Sequence, residues 1–239
     1  MFAFALVWPW IGIGAAGLLL ILLCTNVLRS DRAVTRWGDM VWLTWAGTFV
    51  YLVHQFEEHG IDAMDHAYAF RGFLCAYVGF PDPNACPVPL SFITAVNIAA
   101  VWLAGPLSAL LAARWPVIGL SFFAIPAVNL FAHAGPAVLS GRYNPGLLSA
   151  LVLFLPLCLI VFATAVTRYG LGVRSILATL FAGVALHLVL MTSLMAFIDG
   201  RLGLEGLLLL QVANPFLSAL IVVLLAGRGG SSVRRSALL

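Results

Sequence analysis

The chain has 239 residues, of which 63% are hydrophobic and only 9% are charged, and its mean hydropathy is +1.08. A soluble globular domain carries roughly a quarter charged residues, so this composition excludes a cytosolic enzyme, a nucleic-acid-binding module and a disordered linker protein. It predicts an all-α membrane protein. The net charge of +3 comes from twelve arginines and nine acidic residues. Because membrane topology alone accounts for such arginines, no acidic partner is implied.

Seven apolar runs are each long enough to cross a bilayer, which takes about 20 helical residues. They lie at 6–28, 40–58, 90–112, 116–134, 146–167, 175–198 and 205–226. The first run lacks the flanking residues of a cleaved signal peptide, so we expect a retained helix. The sequence therefore predicts one domain over residues 1–227, a bundle of about seven transmembrane helices, and a flexible cytoplasmic tail at 228–239.

The arginines between these runs predict the orientation of the bundle. Loops 2, 4 and 6 carry one arginine each, Arg71, Arg142 and Arg201. The other nine fall on the opposite side, at Arg29, Arg32, Arg36, Arg114, Arg168, Arg174, Arg228, Arg234 and Arg235. Since cytoplasmic loops are enriched in basic residues, we expect the N-terminus outside and the C-terminus in the cytoplasm. The expected location is the bacterial inner membrane.

The longest loop, at about 60–89, contains Cys75 and Cys86. On the predicted topology this loop lies in an oxidising compartment, where the two thiols either pair as a disulfide or remain free. The charged residues at the start of the loop, among them His59, Asp62 and His66, are expected to form a solvated surface.

Several polar side chains lie at membrane depth, where each costs free energy unless it is paired, hydrated or ligated. At the end of the second run, His54, Glu57 and Glu58 share one helical face, because they are spaced i, i+3 and i+4. In the fourth run, Asn129 and His133 are likewise four residues apart.

Helix lengths place these groups at a common depth. Counted from the predicted cytoplasmic ends of their helices, His54, Asn129 and His187 all lie roughly 18–20 Å from the inner boundary, at 1.5 Å rise per residue. Arg142 and Asn144 belong to loop 4, at the outer end of this layer. Several segments thus direct polar groups to one level in the outer half of the bundle.

Three motifs resemble those of the HXXEE family of bacterial integral membrane proteins. They are His54-Gln55-Phe56-Glu57-Glu58, Asn129-Leu130-Phe131-Ala132-His133 and Asn144-Pro145-Gly146. The resemblance spans about residues 40–170 and implies a membrane-embedded protein without an assigned reaction. The paired glutamates also resemble those of intramembrane CAAX proteases. That likeness is one of chemistry, because position 62 is Asp where the CAAX pattern has Arg.

Imidazoles and carboxylates are the ligands that zinc, iron and manganese prefer, with zinc first for two histidines and a glutamate. We expect the metal ligands to be His54, Glu57 and His133, with His187 as a possible fourth. Glu58 is then the expected general base. Asn129 and Asn144 are expected to stabilise an oxyanion or orient the ligands, and Arg142 to bind an anionic head group of the substrate.

The favoured function is a metal-dependent hydrolase or transferase. Its expected partners are the bilayer and an apolar substrate, namely a lipid, an isoprenoid or a membrane-inserted peptide. Alternatives stay open: a metal-free glutamate–histidine acid–base pair, a di-iron site, and a purely structural role for the polar layer. A further alternative is a transporter or ion-binding protein that moves protons or divalent cations. Transport predicts polar residues in the cytoplasmic half as well, and the runs there are nearly all apolar.

Overall fold

The computed structural model describes residues 2–226, which form a bundle of α-helices; the tail predicted at 228–239 lies outside the described residues. No β-strand occurs in this part of the chain, apart from one isolated bridge between Ile61 and Ala67. The helices are α1 (Phe2–Cys24), α2 (Met40–His59), α3 (Ala69–Tyr77), α4 (Leu90–Ala112), α5 (Pro116–Ser140), α6 (Leu147–Thr167), α7 (Val173–Ile198) and α8 (Leu204–Ala226).

Six helices of residues 2–226 are long and apolar enough to cross a membrane, namely α1 and α4 to α8. The chain is therefore an integral membrane protein by the length and composition of these helices. The second predicted span corresponds to α2, which has 20 residues but is not among the six. A total of seven spans remains a prediction, as does the orientation of the termini.

Helix α2 lies at the centre of the bundle. It packs against α1, α4, α5 and α6, and 15 of its 20 residues are buried. A helix enclosed by protein does not need an apolar surface all round, because its polar side chains face neighbouring helices rather than lipid. This position explains how α2 accommodates the polar sequence from His54 to His59.

Two helices contain a π-helical turn beside the polar end of α2. In α4 this turn is Ile98–Leu103, and in α6 it is Ala150–Phe154. Such turns are rare insertions in α-helices and occur frequently at functional sites, since they shift the side chains that flank them. Here they directly follow Asn97 and Ser149, both of which bond to side chains of α2.

Residues 60–89 fold over the C-terminal end of α2 and include the short helix α3. Cys75 and Cys86 form a disulfide, with 5.6 Å between their Cα atoms. The Arg71 guanidinium donates to the carbonyl oxygens of Val88 and Cys86, at 2.9 and 3.0 Å. Two links thus hold α3 against the segment that leads into α4. Because residues 60–89 cover this end of α2, His59 and Asp62 are buried. The expectation that they form a solvated surface is therefore wrong.

Candidate metal centre

Three buried side chains from two helices converge beside the end of α2. They are His54 and Glu58 of α2 and His133 of α5, and one ligand atom from each lies within 4.8 Å of the other two. The closest approaches are 3.2 Å from His133 Nε2 to Glu58 Oε1 and 3.5 Å from His54 Nε2 to Glu58 Oε2. These are the convergent groups that the motif spacing predicts, although the carboxylate is that of Glu58 rather than Glu57.

Glu57 points instead to the first turn of α6. Its carboxylate accepts from the backbone N–H groups of Leu148, at 3.0 Å, and Ser149, at 2.7 Å, and from the Tyr143 hydroxyl, at 2.8 Å. The first N–H groups of a helix have no partner within it and commonly bind a local side chain. The residue before α6 is Gly146, which has no side chain. Glu57 therefore caps α6 from another helix.

Ser149 connects this cap to His54. Its hydroxyl donates to the Glu57 carboxylate, and His54 Nδ1 lies 2.8 Å from the same hydroxyl oxygen. Because the hydroxyl proton is directed at Glu57, Nδ1 of His54 must be the donor in that bond. The proton of the neutral imidazole is then on Nδ1, and Nε2, 3.5 Å from Glu58 Oε2, is an acceptor that receives the Asn129 amide N–H at 2.9 Å.

Asn144 fixes His133 in the same way. Its amide nitrogen donates to the carbonyl oxygen of His133 at 2.9 Å, and its amide oxygen lies 2.7 Å from His133 Nδ1. Since a carbonyl only accepts, the amide orientation is determined and Nδ1 of His133 is again the donor. These contacts hold the His133 ring in one orientation; the role of Asn144 beside a metal ligand stays a prediction.

The arrangement concentrates electron pairs at one point. Two imidazole Nε2 atoms and a carboxylate are all acceptors when the rings are neutral. Asn129 donates to one of them, His54 Nε2, and the contact between His133 Nε2 and Glu58 needs a proton, a water molecule or a cation. Zinc holds such ligands at about 2.0–2.2 Å, which puts tetrahedral neighbours about 3.4 Å apart. His133 Nε2 lies 3.2 Å from Glu58 Oε1 and His54 Nε2 lies 3.5 Å from the other oxygen, Oε2, while one ligand atom of each residue lies within 4.8 Å of the other two. The residues present therefore fit a metal with two histidine ligands and one glutamate ligand.

Gly146 lets the backbone approach this group. Its φ is +95°, and a Cβ there would lie 2.7 Å from His133 Cε1, 2.8 Å from His54 Cε1 and 2.9 Å from Glu58 Cγ. Both the positive φ and the lack of space require glycine. The Asn144-Pro145-Gly146 motif thus supplies an imidazole partner and a close backbone contact within three residues.

A cavity of about 370 Å³ borders the group on the side of α3, α5 and α7. Glu58, Asn129 and His133 contribute polar groups to its wall, while most other lining residues are apolar. Asn129 donates to Tyr51 at 3.0 Å and lies 2.9 Å from His54 Nε2. His187 lines the same cavity, but it is outside the three-residue group and its Nδ1 donates to the Gly183 carbonyl at 2.8 Å.

The remaining predicted residue, Arg142, is exposed and does not line the cavity. Its neighbour Tyr143 reaches inward to Glu57 instead. Burial and the adjacent Glu57 carboxylate raise the pKa of the Tyr143 phenol above its ordinary value, so the hydroxyl remains a donor at neutral pH. Sequence reasoning did not select Tyr143.

Residues 45–161 match the family model described as a protein of unknown function with HXXEE motif. Through these residues the chain belongs to the HXXEE family. The matched segment runs from α2 to α6 and so contains His54, Glu57, Glu58, His133 and Asn144. No curated protein and no solved structure matches the chain. The likeness to CAAX proteases therefore rests on the paired glutamates alone.

Sequence reasoning also missed Ser149 and the chain of hydrogen bonds that leads to His59. Asn97 Nδ2 lies 3.1 Å from His59 Nε2, Gln55 donates to Asn97 at 2.9 Å, and Trp102 donates to Gln55 at 3.1 Å. The only available signal was the presence of amides at membrane depth. Their partners depend on which helices are neighbours, and helical periodicity does not determine that.

Proposed function

We propose that this HXXEE protein is a membrane-embedded, metal-dependent enzyme of the hydrolase or transferase class. The observation that carries the proposal is the convergence of His54, Glu58 and His133, with one ligand atom of each within 4.8 Å of the others. Zinc is the first candidate, and iron or manganese would accept the same donors. When bound, such a cation acts as a Lewis acid on a carbonyl or phosphoryl oxygen or on water.

The protein's own residues hold the ligands in position. Ser149 and Asn144 bond the Nδ1 atoms of His54 and His133, which leaves both Nε2 atoms facing Glu58, where the three residues would hold a cation. Partners of this kind fix the tautomer and orientation of ligating histidines. We therefore assign Glu58 as the third ligand and Glu57 as an orienting group that acts through Ser149. The general base expected at Glu58 is not part of this proposal, because that carboxylate is among the three ligands.

The cavity supports a lipid-like substrate. It is lined mainly by apolar side chains, and its polar wall includes Glu58, Asn129 and His133. Pockets of several hundred Å³ with a few convergent polar groups are typical of small-molecule sites. The hydrogens of the Asn129 amide are directed at Tyr51 and at His54 Nε2, so we assign Asn129 an orienting role, while His187 offers its Nε2 to the substrate. The exposed Arg142 has no role in this proposal.

The packing below the site favours the enzyme over a transporter. On the inner side of His54 the buried residues of α2 are mainly apolar, including Leu43, Ala46 and Val50. Thr44 and Thr48 are the polar exceptions, and each hydroxyl donates to a carbonyl of its own helix. A transport pathway needs hydrated or polar groups on both sides of its binding site. Along α2, such groups other than the two threonines occur only from His54 towards the C-terminal end of the helix.

The paired glutamates provide a matched test. We expect Glu58→Gln to lower zinc binding at least a hundredfold, because it removes a charged ligand. Glu57→Gln should retain the metal within about tenfold and should lower thermal stability, because it weakens the cap of α6. Zinc affinity is measured by competition with a chelator on purified protein. Equal losses in the two variants, or no loss in either, would contradict the ligand assignment.

A further inference from the structure

A second cavity, of about 360 Å³, borders α1, α3 and the start of α4. It neighbours the cavity beside the proposed metal centre, and His59 contributes to both walls. Phe73 and Tyr77 of α3 line the first cavity, whereas Arg71 and Gly72 line the second. An α-helix turns by about 100° per residue, so these two pairs lie on different faces of α3. The second cavity is thus a space that the proposed enzyme does not use.

Arg71 gives this second cavity a positive charge that is held in place. Its Nε and Nη2 atoms donate to the carbonyl oxygens of Val88 and Cys86. A guanidinium has five N–H donors, so three remain on the edge formed by Nη1 and Nη2. In residues 2–226 the arginines that pair with a carboxylate are Arg168 and Arg201, and Arg71 is not among them. The side chain is therefore fixed while its charge and one of its edges stay available to an anion.

The second cavity lies at one end of the membrane-crossing helices. Its wall includes Ala5 and Trp8, from the first two turns of α1, and Leu90, the first residue of α4. Beside it, the indole N–H of Trp10 donates to the Tyr68 hydroxyl at 3.2 Å, and both side chains are exposed. Tryptophan and tyrosine are enriched where the bilayer meets water. The cavity is therefore at the depth of the phospholipid head groups.

We propose that the second cavity binds the phosphate group of an anionic phospholipid, with that group on the open edge of Arg71 and its acyl chains in the bilayer beside α1. The planar guanidinium matches two phosphate oxygens at once. Because Arg71 is already fixed by two carbonyl oxygens, it loses little further freedom when the lipid binds. Basic pockets between membrane helices commonly hold anionic head groups. This inference does not depend on the proposed metal centre.

Native mass spectrometry of the purified full-length protein in a neutral detergent measures the lipid affinity. Phosphatidylglycerol is compared with a diacylglycerol that has the same acyl chains and lacks the phosphate. We expect one phosphatidylglycerol to bind at least about tenfold more tightly than the diacylglycerol, because hydrogen bonds between charged groups are the stronger ones. Glycerol 3-phosphate has the same phosphate chemistry without the acyl chains, and it should not displace the lipid.

Variants of Arg71 locate the preference for phosphatidylglycerol. Arg71→Gln should abolish it, whereas Arg71→Lys, which keeps the charge but not the planar fork, should retain part of it. Arg142→Gln is the matched control, since Arg142 is exposed and lines neither cavity. We expect the control to keep the full preference. Thermal unfolding of each variant verifies that it is folded.

Gly72→Leu tests the cavity while Arg71 stays unchanged. Nothing lies within 4 Å of a Cβ added at Gly72, so a leucine side chain can occupy the cavity without displacing α3. Phosphatidylglycerol should then bind no better than the diacylglycerol. Normal binding in this variant would place the phosphate outside the cavity and overturn the proposal.

Three other results would also overturn it. They are equal affinity for the two lipids in wild type, an unchanged preference in Arg71→Gln, and equal losses in Arg71→Gln and Arg142→Gln. Displacement of the lipid by an equal concentration of glycerol 3-phosphate would identify the ligand as a soluble phosphate and overturn the assignment to a phospholipid.

Discussion

Glu57 and Glu58 are neighbours in the sequence, yet their carboxylates have different surroundings. Glu57 receives donors from the start of α6 and from Tyr143, whereas Glu58 faces the Nε2 atoms of three histidines, His54, His59 and His133. An α-helix turns by about 100° per residue, so adjacent side chains point to different neighbours. The spacing of the motif shows that both groups lie near His54, but it does not show which of the two faces His133.

At the scale of the residue, Gly146→Ala tests how closely the site is packed. Gly141 is the matched control, because its φ is also positive, at +67°, and nothing lies within 4 Å of a Cβ added there. We expect Gly141→Ala to cost about 1–2 kcal/mol of folding free energy, the cost of a left-handed conformation. Gly146→Ala should cost about 2–5 kcal/mol, because overlap with His54, His133 and Glu58 adds to that strain.

Zinc binding and thermal unfolding in detergent are compared for the two variants. Gly146→Ala should also lose the metal, whereas Gly141→Ala should keep it. Normal zinc affinity in Gly146→Ala would show that the backbone does not approach the ligands as described.

The sequence alone predicts the residues of the site better than their connections. His54, His133 and Asn144 are selected because polar groups at membrane depth need partners, and the structure brings all three together. Ser149 and His59 are not selected as site residues, since a serine in an apolar run and a histidine at a helix end are both ordinary. Their involvement depends on α6 and α4 being the neighbours of α2, and those contacts join distant parts of the chain.

At the level of the helices, α5 and α7 make their close contact at Gly183. A Cβ at Gly183 would overlap the carbonyl oxygen of Ala124, a backbone atom that cannot turn away. We expect Gly183→Ala to push the helices apart and to cost about 1–3 kcal/mol, the range found for overpacked cores. Small residues commonly allow such close approach between membrane helices.

Gly135 of α5 is the control, since nothing lies within 4 Å of an added Cβ there. Gly135→Ala should leave stability unchanged or raise it by about 0.5–1 kcal/mol, as alanine favours the helix. Thermal unfolding of both variants in one detergent makes the comparison. Equal stability of the two variants would argue against the tight contact at Gly183.

The helices themselves are largely predictable from hydropathy, because about 20 apolar residues in succession have few alternatives to a membrane helix. Six predicted runs correspond to helices of the required length and apolarity. Helix α2 is less apolar than these six helices, because its burial among α1, α4, α5 and α6 allows a more polar sequence. The π-helical turns at Ile98–Leu103 and Ala150–Phe154 carry no such sequence signal.

At the scale of the whole molecule, the distribution of arginines predicts that residues 60–89 lie outside and that the loop between α1 and α2 is cytoplasmic. The disulfide between Cys75 and Cys86 agrees with an oxidising compartment for the first of these segments. His66 and Ala33 are exposed residues in the two loops and suit cysteine labelling.

We expect His66→Cys, in a Cys24→Ser/Cys158→Ala background, to react with an impermeant maleimide added to intact cells. Ala33→Cys should react only after the membrane is permeabilised. Labelling with the reverse pattern would invert the orientation and place the site in the inner half of the bundle.

Whether His54, Glu58 and His133 hold a metal ion is decided by metal analysis of the purified protein. Wild type and the His54→Ala/His133→Ala variant are prepared without a polyhistidine tag, loaded with zinc, freed of excess metal and measured by inductively coupled plasma mass spectrometry. Circular dichroism confirms that the variant keeps its helices. We expect about one equivalent of metal in wild type, lost in the folded variant. Wild type without metal after loading, or a variant that retains it, would show that these three residues do not form a metal site.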